Sequence, residues 1–278
     1  MADDFEDAVA RHYGAGDLKE RILKAVAAAG LEPDHLTPER LAPLDEFHIG
    51  GRAATVHAVA KMGLKPGDRV LDVGCGIGGA TRYLAATMGC RVTGVDLTPE
   101  YIAAAADLAR RTGLADRVTY RVASALAMPF GDGAFDAAIT LHAAMNIKDR
   151  PGLYREVARV LRPGAVFCSY DVMKGRDDGI RYPVPWAETP ATSSLATPQE
   201  MQALLRDAGF DVIEVEDRTA FAIDGLRQRL ADAIPGAPPL GLHIVMGATA
   251  RQKSQNLLIN LESGVIAPTV VVARLRAT

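Results

Sequence analysis

Short apolar segments alternate with helical segments along most of this chain, and this alternation restricts its fold more than any other feature. Strands are predicted in five segments, at residues 69–74, 91–97, 117–125, 135–143 and 165–172. Helices are predicted after Gly79 and at residues 98–113 and 150–164, from the spacing of their apolar residues. This order is typical of a parallel sheet with helices on both faces. The sequence therefore predicts an α/β, doubly wound fold.

The C-terminal part predicts how the sheet is completed. A capped helix at residues 197–210 precedes a sixth strand at 211–218, and the final β-rich run, residues 267–278, has no helix after it. A last strand reached in this way can enter the sheet antiparallel to its neighbours. We therefore expect a Rossmann-like sheet of seven strands whose last strand is antiparallel.

Three further segments are expected to roof the carboxyl edge of the sheet. Residues 1–63 show helical patterning, with Asp17 positioned to cap one of the helices. A Pro-rich lid loop at residues 175–196 and a helical cap insertion at about 220–263 complete the roof. We expect an N-terminal helical segment, 1–63, and a main domain, 64–278, that carries the lid loop and the cap.

Composition and charge count against several classes of protein. The chain has 278 residues, 49% of them hydrophobic, so it can bury a substantial core. A net charge of −3 without a basic run counts against binding to nucleic acid. Its three cysteines form no CxxC pair, and no cluster has metal-ligand spacing, so we expect neither disulfides nor a metal. With no signal peptide and no apolar run of about 18 residues, a cytoplasmic protein that does not contact membranes is expected.

The loop after the first strand is rich in glycine. Gly74, Gly76 and Gly79 match the dinucleotide fingerprint G-x-G-x-x-G. Asp96 ends the second strand about 20 residues downstream, where a carboxylate can bind the hydroxyls of a ribose. A nicotinamide dinucleotide and S-adenosylmethionine both fit this pattern.

Asp72 distinguishes between these two cofactors. It lies two residues before the first glycine, at a position that is normally apolar in dinucleotide-binding folds. A carboxylate at the exit of the strand favours a cationic cofactor, with an α-amino group and a sulfonium, over a doubly charged pyrophosphate. The loop is therefore interpreted as a site for S-adenosylmethionine.

Several segments, taken in order, resemble the motifs of class I S-adenosylmethionine-dependent methyltransferases. They are residues 72–79 (DVGCGIGG), 92–97 (VTGVDL), 123–130 (ASALAMPF), 135–142 (FDAAITLH) and 159–164 (RVLRPG). Residues 45–55 (DEFHIGGRAAT) extend the resemblance to the bacterial small-molecule branch, which includes sarcosine and dimethylglycine N-methyltransferases.

The resemblance implies S-adenosylmethionine as cofactor and S-adenosylhomocysteine as product. It assigns cofactor roles residue by residue: the amino group to Asp72, the methionine moiety to Gly74, Gly76 and Gly78, the ribose to Asp96, and the adenine to Leu97, Ser124 and Ala125. Many relatives carry Asp where this chain has Ser124, so here the backbone N–H of Ala125 is a further candidate for the adenine edge.

The resemblance also places the loop after the fourth strand, residues 141–146, beside the methyl group. His142 is the catalytic candidate, because an imidazole can accept a proton at neutral pH; the alternative is that it only bonds the cofactor or a backbone carbonyl. His48, Tyr13 and Trp186 are the candidates for contact with the substrate, with simple packing as the alternative for each. The loop lacks the Asn/Asp-Pro-Pro-Tyr/Phe motif of nucleobase methylation.

The predicted function is methyl transfer to a small-molecule acceptor, with an amine nitrogen as the leading hypothesis. O- or C-methylation of a phenolic, quinone or polyketide substrate is the first alternative. An NAD-linked oxidoreductase or a non-catalytic cofactor-binding protein is the second. The sequence leaves a homodimer open.

Overall fold

The protein has a single seven-stranded sheet with the strand order β3-β2-β1-β4-β5-β7-β6. The computed structural model describes residues 2–14, 16–176, 179–231 and 239–277. The strands are β1 Arg69–Val73, β2 Arg91–Asp96, β3 Val118–Val122, β4 Phe135–Leu141, β5 Leu161–Lys174, β6 Phe210–Asp217 and β7 Ile266–Leu275. β7 pairs antiparallel with both β5 and β6, while β1 to β5 pair parallel. The predicted fold class, including the antiparallel last strand, is confirmed.

Helices precede, flank and interrupt this sheet. Before it come α1 Ala2–Tyr13, α2 Leu18–Ala28, α3 Pro38–Asp45 and α4 Gly51–Ala60. Between the strands lie α5 Gly79–Thr87, α6 Pro99–Arg111, α7 Arg150–Val160 and α8 Pro198–Asp207. Between β6 and β7 come α9 Thr219–Ala231, α10 His243–Met246 and α11 Ala250–Glu262. Part of the expected cap, residues 232–238, lies outside the described residues. Within the described part, no helix combines the length and apolar character needed to cross a membrane.

Alternate residues of the strands pack against opposite layers of helices. Val70 and Ile139 belong to one core, which also takes in residues of α4, α5 and α11. Leu71 and Ala138 belong to the other, on the side of α7 and α8. Since side chains alternate across a strand, the continuous apolar character of β1 and β4 reflects burial on both faces.

The N-terminal end of α2 differs from expectation. Asp17 stands at the N-cap of α2, but its φ is 53° and its side chain accepts no helical hydrogen bond. Glu100 instead accepts from the backbone N–H of Gly16, at 3.1 Å, and of Leu18, at 2.6 Å. Capping by Asp17 was therefore wrong, because a carboxylate distant in sequence takes over its role.

The strand β5 begins earlier than expected. The helix α7 ends at Val160, and Leu161 already pairs with Phe135 of β4. A register shift follows before Ala137 pairs with Val166, where Pro163 can donate no ladder hydrogen bond. The predicted helix at 150–164 was thus too long at its C-terminal end.

A buried ion pair fastens the N-terminal helices to the helix behind the glycine-rich loop. Arg82 of α5 donates through Nη2 to Asp45 Oδ2 at 2.6 Å, and both side chains are 0% exposed. Arg82 Nη1 also donates to the carbonyl of Ile77 in the loop, at 2.9 Å. The loop and the end of α3 therefore share one buried guanidinium.

Replacing Arg82 with methionine should destabilise the protein strongly, because Asp45 would stay buried without its partner. Breaking a buried pair in this way costs ~3–5 kcal/mol in the free energy of unfolding, which denaturant titration measures. Arg110→Met is the matched control: Arg110 lies on α6, is 64% exposed and also bonds an aspartate, so a loss of at most about 1 kcal/mol is expected. An equally small loss in Arg82→Met would contradict the fastening role.

Candidate active site

A cavity of about 560 Å³ lies at the carboxyl ends of β1, β2 and β4. The strand order reverses between β1 and β4, and in open α/β sheets this is where ligands bind. The strand ends contribute Asp72, Asp96 and Leu141 to its wall, α1 contributes Tyr13, and α9 contributes Phe221. Residues of α1 and α9 thus line the cavity together with the strand ends.

The glycine-rich loop forms one wall of the cavity with its backbone. Gly74 and Gly76 line the cavity and have φ of 76° and 54°, a region that favours glycine. A Cβ at Gly74 would overlap the side chain of Ala143. Gly78, with φ of 81°, is not a lining residue, and a Cβ there would overlap the hydroxyl of Tyr120. Gly78 thus allows close packing behind the loop.

Asp72 is a buried carboxylate at the end of β1. It is 2% exposed, and its Oδ2 accepts a hydrogen bond from the hydroxyl of Thr81 at 2.6 Å. Burial, followed by the charges of Glu46 and Asp96, raises its pKa to about 7 against the pull of the Thr81 hydrogen bond. No cation of the described chain pairs with it. A cationic group in the cavity would compensate this burial, so the site fits the amino group of a cofactor.

Asp96 lies at the end of β2 with its carboxylate fixed by two backbone groups. Oδ1 accepts from the N–H of Thr98 and Oδ2 from that of Gly76, both at 2.9 Å. Burial raises its pKa, although these hydrogen bonds oppose the shift. Each oxygen retains a lone pair, so the carboxylate can accept from two neighbouring hydroxyls.

The residues expected to contact the adenine do not all line the cavity. Leu97 and Ala125 line the cavity, but Ser124 does not. The hydroxyl of Ser124 donates to Glu6 Oε1 at 2.6 Å, and it accepts from the N–H of Leu126 at 3.1 Å. The polar side chain that reaches the cavity here is Glu6 of α1, which sequence reasoning missed.

Tyr13 and the lid loop meet at Asn146, a second residue that was missed. The hydroxyl of Tyr13 donates to Asn146 Oδ1 at 2.9 Å. The Asn146 amide donates in turn to the carbonyls of Trp186, at 2.9 Å, and Thr192, at 2.8 Å. One buried amide therefore joins α1, the loop after β4 and the lid loop. The only signal for Asn146 in the sequence is its position in the loop after β4, residues 141–146 (LHAAMN).

Trp186 lines the cavity but is tightly built into the lid loop. It is 1% exposed, and its indole N–H donates to the hydroxyl of Ser193 at 2.9 Å. The polar end of the ring is therefore satisfied within the loop. Trp186, a candidate for contact with the substrate, therefore also packs as an anchor of this loop.

His142 lines the cavity and has one unprotonated ring nitrogen. Its Nδ1 lies 3.1 Å from the carbonyl oxygen of Tyr170, which can only accept, so Nδ1 carries the proton. Nε2 then holds a lone pair, which the N–H of Ile49 approaches at a long 3.4 Å. Burial, reinforced by His48, lowers the pKa of His142 to about 3. Its φ is 54°, in the left-handed region that non-glycine residues rarely adopt.

His48 has the complementary arrangement. Its Nε2 lies 3.1 Å from the carbonyl oxygen of Gly51 and 3.0 Å from the hydroxyl of Thr55. The proton therefore resides on Nε2, and Nδ1 keeps the lone pair. Burial lowers its pKa to about 4. The ring centroids of His48 and His142 are 5.9 Å apart, so two neutral imidazoles line one part of the cavity.

The carboxylates near these imidazoles are already paired. Glu46 accepts a hydrogen bond from the Thr55 hydroxyl at 2.6 Å and forms an ion pair with Arg52, whose Nε lies 2.6 Å from Oε1, and Asp45 is bound by Arg82. Among the described residues that line the cavity, Asp72, Asp96 and Glu6 carry carboxylates that form no ion pair. Across the described residues, no group of three or more His, Cys, Asp and Glu side chains is arranged to hold a metal ion.

Comparisons with known proteins bear on this site. Residues 71–169 match the sequence model of a family described as a methyltransferase domain. The chain is 31% identical over 221 residues to the methyltransferase GfsG of Streptomyces halstedii. This match covers 78% of this chain and 77% of GfsG.

Two solved structures share the fold. The geranyl diphosphate C-methyltransferase of Streptomyces coelicolor A3(2), in complex with Mg²⁺, geranyl diphosphate and S-adenosyl-L-homocysteine, superposes with a TM-score of 0.72 over 97% of both chains at 18% identity. A putative sarcosine dimethylglycine methyltransferase from Galdieria sulphuraria gives 0.65 over 81% of this chain and 84% of that one, at 20% identity.

The affinity for S-adenosylhomocysteine should rise with pH up to about 7, the pKa of Asp72 in the free protein, because its ammonium group binds the ionised carboxylate. An α-amino group stays cationic below about 7.7, so each pH unit below 7 should cost up to about tenfold in affinity through Asp72. Calorimetric titration measures this slope. Asp72→Asn should reduce it and weaken binding at neutral pH, whereas the exposed Asp116→Asn should change neither. An unchanged slope in Asp72→Asn would contradict this assignment.

The raised pKa of Asp72 has the opposite effect on the stability of the unliganded protein, which should fall as the pH rises. Because the folded pKa of Asp72 lies above the ordinary 3.8, its stabilising contribution is present below pH ~4 and is lost as pH rises through about 7. Asp72→Asn should therefore gain stability relative to the unliganded wild type between those values. Thermal unfolding across this range checks it, and a parallel pH dependence in both proteins would refute it.

Proposed function

Because the chain belongs to the class I S-adenosylmethionine-dependent methyltransferases, we propose that it methylates the nitrogen of a small-molecule amine. Membership in this family makes the chain an enzyme that methylates small molecules, and it overturns the alternative of an NAD-linked oxidoreductase. The acceptor atom is the finer proposal. The observation that carries it is the pair of neutral imidazoles, His48 and His142.

The residues present fit the cofactor. Asp72 would hold its amino group, the backbone at Gly74 and Gly76 would border its methionine moiety, and Asp96 would accept from the ribose hydroxyls. Leu97 and Ala125 line the apolar surface expected for the adenine. When bound, S-adenosylmethionine supplies an electrophilic methyl group on a sulfonium.

The two imidazoles are suited to orient an amine. His48 Nδ1 offers a lone pair, and the lone pair of His142 Nε2 is engaged only by the long 3.4 Å contact from the N–H of Ile49, which an N–H group of an uncharged amine would replace. Such bonds leave the nitrogen lone pair free for attack, and alignment of the reacting atoms is a large part of catalysis. Once methylated, the nitrogen is cationic and loses its proton to water after the product is released.

The low pKa values argue against chemistry that needs a strong base. At about 3 for His142 and about 4 for His48, neither ring is matched to remove a proton from a phenol with a pKa near ~10. General-base catalysis works best when the pKa of the base lies near the operating pH. An amine that enters uncharged has no such requirement.

The cap side of the cavity is apolar. Leu226, Leu242, Val245, Met246 and Leu257 contribute to it from the segments between β6 and β7. These side chains would exclude water from the reaction and favour an acceptor with an apolar body. An apolar acceptor that is methylated on oxygen or carbon is the alternative that the experiments below distinguish.

Incubation with isotope-labelled S-adenosylmethionine and a panel of amines, phenols, thiols and carbon acids tests the proposal. Mass spectrometry identifies the products that gain one labelled methyl group. We expect amines with an apolar chain to be methylated on nitrogen. Methylation of phenols or carbon acids alone would replace the proposal with the O- or C-alternative.

His142→Asn measures how far the reaction depends on a base. Asparagine tolerates the positive φ at this position, so the loop should keep its shape. If His142 orients an amine, kcat should fall by about tenfold or less, while the affinity for S-adenosylhomocysteine stays unchanged. A loss of about 10²–10⁴-fold is what removal of a general base produces, and it would favour O- or C-methylation. His35→Asn, at an exposed position, is the control.

A further inference from the structure

Glu6 of α1 brings a carboxylate to the part of the cavity wall that follows β3. Its side chain lines the cavity together with Ala125 and Leu126. Glu6 Oε1 accepts a hydrogen bond from the hydroxyl of Ser124 at 2.6 Å, although the two residues are 118 positions apart in sequence. A carboxylate has about four lone-pair sites, so this bond leaves acceptor capacity for a ligand.

The position of Glu6 follows from the face that α1 turns toward the cavity. Phe5, Val9 and Tyr13 recur every four residues, and all three line the cavity. Residues four apart lie on one face of a helix, so this face seats α1 on the cavity with Glu6 beside it. The hydrogen bond from Tyr13 to Asn146, at 2.9 Å, holds the C-terminal end of the helix. Glu6 is therefore fixed from both ends of α1.

A backbone donor lies next to this carboxylate along the wall. The N–H of Ala125 has no acceptor within the part of the chain that the structure describes, whereas its neighbours do. The N–H of Leu126 donates to the Ser124 hydroxyl at 3.1 Å, and that of Ala127 donates to the Ser124 carbonyl at 3.2 Å. The wall thus offers a ligand one anionic acceptor, Glu6, and one donor, Ala125.

An acceptor beside a donor is complementary to the edge of adenine. The exocyclic amino group of adenine donates, and the adjacent ring nitrogen carries a lone pair that accepts. Hypoxanthine, the deaminated base, has the opposite pattern, with a carbonyl that accepts and a ring N–H that donates. A carboxylate at this position would therefore attract the adenine edge and repel that of hypoxanthine.

We propose that Glu6 binds the exocyclic amino group of the cofactor's adenine while the N–H of Ala125 binds the ring nitrogen, and that Glu6 thereby determines the preference for adenine. The hydroxyl of Ser124 positions the carboxylate. The group that reads the base thus comes from α1, outside the sheet. This inference rests on the cofactor of the family and is independent of the nature of the methyl acceptor.

The test compares S-adenosylhomocysteine with S-inosylhomocysteine, in which hypoxanthine replaces adenine. Calorimetry measures both affinities without any methyl acceptor. We expect the wild type to bind the adenine ligand about 10- to 100-fold more tightly, the range of a hydrogen bond to a charged group. In Glu6→Gln the amide oxygen can still accept from Ser124, which leaves an NH2 group toward the base. The preference should fall by about tenfold or more, through weaker binding of S-adenosylhomocysteine.

Two further variants separate recognition of the base from a structural role. Asp7→Asn removes an exposed carboxylate of α1 that does not line the cavity, and it should leave both affinities unchanged. Ser124→Asp in the Glu6→Gln background returns a carboxylate to the same place, because the Ser124 hydroxyl lies 2.6 Å from Glu6 Oε1. This double variant should regain the preference for adenine.

Because the carboxylate belongs to α1, adenine should also stabilise that helix when it binds. With either ligand at saturation, amide hydrogen exchange in residues 2–13 should be slower with S-adenosylhomocysteine than with S-inosylhomocysteine. Glu6→Gln should abolish this difference, and Asp7→Asn should preserve it.

Three results would overturn the proposal: a wild type without preference between the two ligands, a Glu6→Gln variant that keeps the full preference, or one that weakens both ligands equally. Equal protection of α1 by both ligands in the wild type would count against it as well. If no amine is methylated but the preference for adenine depends on Glu6, the proposed acceptor fails and the role of Glu6 stands.

Discussion

The burial of Asp72 is the constraint on which the site depends. A carboxylate in an apolar environment is costly unless it is paired, and here the described residues supply hydrogen bonds from Thr81 but no cation. The surrounding fold must therefore hold this group in place, and a cationic group of a ligand would offset the cost. Such local cost at the end of a strand is characteristic of functional sites. It explains why a position that otherwise packs the sheet carries an acid.

The ionisable groups that line the cavity differ in charge. Asp72 and Asp96 are acidic, whereas the imidazoles of His142 and His48 are neutral. Their neutrality results from burial, which lowers both histidine pKa values. Because the reacting sulfonium is cationic, charged imidazoles beside it would oppose cofactor binding. Neutral rings avoid that repulsion and still offer lone pairs.

Sequence reasoning could place the groups that local rules control. The alternation of strands and helices is enough to predict the sheet, and strand ends place Asp72 and Asp96 at one edge because parallel strands end together. It could not place groups that depend on distant partners. Glu100, rather than Asp17, satisfies the start of α2, and Ser124 turns toward Glu6, 118 residues away.

The buried ion pairs explain how the two ends of the cavity keep their geometry. Arg82 links the glycine-rich loop to Asp45 at the end of α3, and the adjacent Glu46 is bound by Arg52 and Thr55 of α4. Thr55 in turn lies 3.0 Å from His48. A displacement of the loop would therefore strain a chain of buried polar contacts that ends at the imidazole. Since buried charges tolerate the loss of a partner poorly, this series of contacts makes the orientation of His48 depend physically on the backbone of the glycine-rich loop.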